Sequence, residues 1–217
     1  NLDCDFLVFQ MERFLDEPDF SKNEIVVEQD KNRVLESFIQ LHGQWPITGP
    51  VYKTNFFKTI CFHTNLVVFE DLEVAIKAIM QATDFKIYNT IDCYYRNDAN
   101  YKEKYNSIEV KTKMVKCFVE LLLSLVAVMQ KNNENQFQNK EIKAYFVNSY
   151  KTFFRFTILE NSRAFQDDNK KIVHLLAAHG FLDSKTAFKF FFVDRVLLPF
   201  ANIKGIGIAR LIKKLYN

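Results

Sequence analysis

The chain has 217 residues, a formal net charge of +3 and a sequence pI near 8.5, with 48% hydrophobic and 25% charged residues. These values exclude a disordered chain, because enough apolar surface is present to offset chain entropy, and they fall short of the strongly basic balance of a dedicated nucleic-acid binder. With 23 Phe but only 5 Gly and 4 Pro, long regular elements with short connections are expected, which favours helices over a many-turned β fold.

In chain order, the apolar spacing of Phe6, Phe9 and Phe14 predicts a first helix over 3–16, stopped by Pro18. Ser21, three residues before Glu24, reads as a capping box opening a second helix. That helix carries Val27, Val34, Leu35, Phe38 and Ile39 on one face and ends at Gly43. The segment GQWPITGP (43–50) is the natural linker, and its Trp45 is a candidate anchor for a partner or a lid on the core. Residues 51–62 and 69–83 read as helices. FKIYNTIDCYY then alternates with a period of two, but a single strand cannot make a sheet.

The polar, tyrosine-rich stretch that follows is expected to be a loop. Its neighbourhood presents Tyr94 and Tyr95 either as ordinary packing residues or as candidate contacts to a partner protein or to single-stranded bases. The strongest helix is 107–130, apolar nearly all round from Cys117 to Met129. An amphipathic helix over 138–160 follows, then one capped by Asp167 and ended by Gly180. Further helices span 184–198, carrying Phe190 and Phe191, and 208–216. The expectation is an all-α fold of eight or nine helices forming one domain, 1–217. An N-terminal helical pair (1–42) is set off by the 43–50 linker.

The chemistry-bearing residues point away from catalysis. The four cysteines are far apart, without a CxxC, and read as buried apolar residues of a reducing compartment, so the localisation expected is intracellular, nuclear or cytoplasmic. Cys61 and His63, two apart, would face away from each other on a helix. Neither a G-x-S-x-G elbow nor a phosphate-binding glycine loop is present, so no enzyme, metal or cofactor is expected.

The C-terminal IKGIGIARLIKKL is similar to the hairpin of a helix-hairpin-helix motif, in which a G-x-G turn opens a helix onto DNA phosphate. Lys204, Gly205, Gly207, Arg210, Lys213 and Lys214 would make that contact, although Leu211 replaces the usual small residue. The simpler reading is a docking helix whose stripe is Ile208, Leu211, Ile212 and Leu215. Taken together, the residues favour a non-enzymatic scaffold or adaptor that binds helical or extended peptides of other proteins between Phe-lined helices, with homodimerisation. Trp45, Tyr94, Tyr95, Phe190, Phe191, Leu211 and Leu215 are its candidate contacts, and nucleic-acid binding is the alternative.

Overall fold

The structure, a computed structural model, describes residues 3–42, 45, 49–96, 106–131, 140–203 and 207–216. It corrects the all-α expectation. Among the described residues there are seven helices of eight or more residues, not eight or nine, together with a three-stranded mixed sheet. The chain packs as two compact units, Asn1–Val110 and Lys111–Asn217.

The N-terminal unit holds the sheet. Strand β1 (Phe6–Phe14) lies in the middle, with β2 (Pro50–Tyr52) antiparallel on one side and β3 (Phe85–Arg96) parallel on the other. Residues 6–14 therefore form a strand, not a helix. FLVFQMERF opens with four consecutive apolar residues, so its own periodicity does not choose between the two. The choice falls to backbone partners roughly 45 to 80 positions away, β3 along the length of β1 and β2 against Phe6–Val8. Along β1 the residues Phe6, Val8, Gln10 and Glu12 are buried in strict alternation. The β1–β3 register shifts on either side of Gln10, a bulge that lets the longer β3 keep pace.

The outer edge of β3 is covered in part by residues 23–25. Ile25 N donates to the Asn89 carbonyl at 2.8 Å, and Ile91 N donates to the Asn23 carbonyl at 3.2 Å. That pairing overturns the expected helix start at Ser21, whose hydroxyl instead bonds Asp19. The helix begins later, as α1 (Lys31–Ile39), where the Asp30 carboxylate accepts from the Asn32 and Arg33 amides at 3.0 Å each. Residues 51–62 are not one helix but the end of β2 and a single turn, Thr54–Phe57. α2 (Glu70–Gln81) matches its expectation and buries Val74, Ala75, Ile76, Ala78 and Ile79.

The C-terminal unit is helical: α3 (Ile108–Lys131), α4 (Lys140–Phe153), α5 (Ser162–Ala178), α6 (Ser184–Phe192) and α7 (Ile208–Leu215). α3 buries Val115, Phe118, Leu121, Leu122 and Leu125 at helical spacing, while Leu123 is exposed, so the helix is not surrounded on every side. α4 widens into a π-helical turn, Phe154–Ile158, then tightens into a 3-10 turn ending at Asn161. The same succession follows α6, at Val193–Leu197 and Leu198–Phe200. Asp167 lies inside α5, bound by Lys170 at 2.8 Å, and does not cap it. Gly180 takes the left-handed conformation (φ 69°) that ends α5, as its position predicts.

Candidate functional site

The site grows from the way α6 is anchored. Tyr216, just past α7, is fully buried and stacks on Phe154 at 4.2 Å and on Phe190 at 4.7 Å between ring centroids. Tyr150 of α4 lies 5.3 Å from the Phe190 ring. Phe190, expected from its sequence to meet a partner, is thus core and unavailable to one.

A helix advances 100° per residue, so an inward Phe190 turns Phe188, Phe191 and Phe192 away from the core. The wide turn after α6 adds Arg195 and Val196 to the same side. These five residues line a surface groove of about 410 Å³. Phe188 is 74% exposed, and Phe192 and Val196 are also exposed. Their spacing, i, i+3, i+4, i+7 and i+8, is a helical stripe already present in FKFFFVDRV. Reading the sequence alone misses Phe188, Phe192, Arg195 and Val196, because a Phe-rich helix looks like core until one knows which ring points inward.

Charge sets the groove's preference. The C-terminal unit carries eighteen Lys and Arg against eight Asp and Glu, a net +10, whereas the N-terminal unit has eleven against eighteen, a net −7. The mild total therefore conceals two strongly and oppositely charged halves. Asp194, next to the groove's Arg195, does not neutralise it: its side chain is buried and accepts from Asn169 Nδ2 at 2.7 Å. Burial raises the Asp194 carboxyl above the ordinary range.

The other expected contacts are dispersed. Of the α7 stripe, Ile212 is buried and Leu215 half-buried, while Leu211 is exposed, so the helix docks through Ile212 and Tyr216 instead. Arg210, Lys213 and Lys214 are exposed, and Gly207 (φ 69°) opens the helix in a conformation glycine adopts freely. Lys204 and Gly205 lie outside the described residues.

In the N-terminal unit, Trp45 is half-buried against Phe38 at 4.3 Å and helps line a cavity of about 110 Å³ with Val34, Gln10 and Ile87. Tyr94 packs on Phe20, and Tyr95 lies under Arg13 in a cation–π contact. Cys4 and Cys117 are buried as expected, but Cys61 and Cys93 are exposed. Among the described residues no group of three His, Cys, Asp or Glu is placed to hold a metal ion, and no helix is long and apolar enough to cross a membrane.

Comparison with known proteins finds no match: no family model fits the chain, no curated protein is similar to it in sequence, and no solved structure matches it.

Proposed function

We propose that the protein is a non-enzymatic interaction subunit of an intracellular complex, and that its C-terminal unit binds an acidic amphipathic helix of a partner protein. The observation that carries this reading is the exposed groove of Phe188, Phe191, Phe192, Arg195 and Val196 in a unit of net charge +10. Aromatic rings in a groove take the apolar face of a helix, as anchors at i, i+3, i+4 and i+7. Arg195 and the surrounding positive field attract carboxylates on the helix flanks and disfavour a basic partner.

Two designed helical peptides with the same apolar face, one flanked by Glu and one by Lys, test it by fluorescence anisotropy. The Glu peptide should bind and weaken as salt rises, while the Lys peptide should not bind. Phe188→Asp should lower the affinity at least tenfold. Equal binding of the two peptides, or binding unaffected by Phe188→Asp, would sink the proposal. A wild-type chain that sediments as a dimer while Phe188→Asp is monomeric would replace the peptide with a second copy of the chain.

A second reading rests on α7, where Arg210, Lys213 and Lys214 are exposed and no acidic side chain occurs after Asp194. A surface of this kind contacts nucleic-acid phosphates without reading sequence. It requires salt-dependent binding of a duplex or single-stranded oligonucleotide that Lys213→Glu with Lys214→Glu abolishes.

A further inference from the structure

The contacts that anchor α6 also gather three cations. Lys151 and Arg155 are one turn apart on the same side of the α4 run, and Lys189 precedes Phe190 on α6. The Tyr150–Phe190 ring contact, 5.3 Å between centroids, joins α4 to α6 at the residues next to Lys151 and Lys189, and Lys151 lies within electrostatic reach of both Lys189 and Arg155. Arg155 Nη2 donates to the Tyr216 carbonyl at 3.2 Å, which holds the guanidinium against the end of α7. All three side chains are half-buried.

Like charges close together need a counter-charge, and five of the described carboxylates of this unit are engaged elsewhere. Glu160 pairs with Lys111 at 2.6 Å, Asp167 with Lys170 at 2.8 Å and Asp168 with Lys171 at 3.7 Å. Asp183 caps α6, and Asp194 faces inward to Asn169. Among the described residues none of Lys151, Arg155 and Lys189 makes an ion pair, and Arg155 Nε is buried without a hydrogen-bond partner. Burial, then the nearby Lys189 and Arg155 charges, depress the Lys151 ammonium below its ordinary value, which reports the same crowding.

We infer that Lys151, Arg155 and Lys189 form a binding site for a tetrahedral oxyanion, either inorganic phosphate or a phosphate monoester. A planar guanidinium with an unused N–H offers a directed donor, and two ammonium groups supply adaptable ones, the combination that suits a phosphate group. An anion there would relieve the repulsion among the cations. The site lies beside the phenylalanine stripe on α6, but it stands whether or not that groove takes a peptide.

The test is isothermal titration of the full chain with inorganic phosphate and, separately, with O-phosphoserine, each in buffer adjusted with NaCl to constant ionic strength. Saturable binding of at least one ligand is expected, weakened at least tenfold by Lys151→Gln or Lys189→Gln, both of which spare the buried aromatic contacts. Tighter binding of O-phosphoserine would mark a phosphorylated macromolecule as the source, and equal binding would mark the free ion. Lys213→Gln with Lys214→Gln should leave the affinity unchanged. The inference is overturned if neither ligand binds, if the two single variants bind as well as the wild type, or if the Lys213/Lys214 variant alone loses binding.

Discussion

The two units bury polar groups in different ways. In the N-terminal unit the most deeply buried polar side chains form an ion pair: Lys77 Nζ lies 2.6 Å from Glu73 Oε1, one turn away on α2. The ammonium also donates to the Cys61 carbonyl at 2.5 Å, and Glu73 Oε2 accepts from the His63 amide at 3.1 Å. In the C-terminal unit four of the most deeply buried ones, Tyr150, Tyr216, Asn169 and Asp194, form a chain of hydrogen bonds. Tyr150 O–H donates to Asn169 Oδ1 at 2.8 Å, which leaves the Tyr216 hydroxyl, 3.1 Å away, to donate to the Tyr150 oxygen. Asn169 in turn donates to Asp194.

The difference is one of reach. The ion pair ties one helix to the loop beside it, whereas the chain of hydroxyl, amide and carboxyl joins α4, α5, the turn after α6 and the end of α7. The first is a local clamp made of charge, and it is costly to leave half-made because a lone buried ion has no water to return to. The second is a long-range tie made mostly of neutral groups, whose individual links are worth less.

This contrast can be broken in order of size. Lys77→Met strands Glu73 in the core and should cost about 3–5 kcal/mol in urea unfolding, and Glu73→Leu added to it should recover most of that loss. If the double variant is no better than the single one, the clamp is not a coupled pair. Tyr216→Phe keeps the ring stacks and removes one donor, so a loss of about 1 kcal/mol is expected from the same measurement.

Asp194→Asn should raise stability at pH 7 by about 1 kcal/mol, because a buried carboxylate with Oδ2 unpartnered is replaced by a neutral group. Its folded-state pKa lies above the ordinary 3.8, so the stability brought by the protonated form is present below that value and lost as pH rises through the folded one. The gap between variant and wild type should therefore be smallest near pH 3.5 and widest at neutral pH, and a gap independent of pH would refute the assignment. Phe188→Asp is the smallest expected effect, within about 0.5 kcal/mol, since the ring is mostly in water, and a larger loss would show that Phe188 is core.

Much of the helical half is legible in the residues. The expected bounds 107–130 and 208–216 fall within a residue of α3 and α7, because apolar stripes of period 3.6 and glycines at positive φ act locally. The groove is half legible: Phe191 is a contact expected from its sequence, but Phe188, Phe192 and Val196 need the inward turn of Phe190 to be recognised. The Lys151, Arg155 and Lys189 cluster is not legible, since 38 positions separate its outer members.

By itself the sequence determined where long helices lie, that the chain can fold, and how every charge is distributed along it. Only the tertiary structure decided that 6–14 is a strand, that the boundary near residue 110 divides a net −7 from a net +10, and which phenylalanines face water. The physical reason is the range of the interactions. Helix hydrogen bonds close within four residues and leave their mark in local spacing, whereas strand pairing and ring stacking draw on partners that no local pattern names.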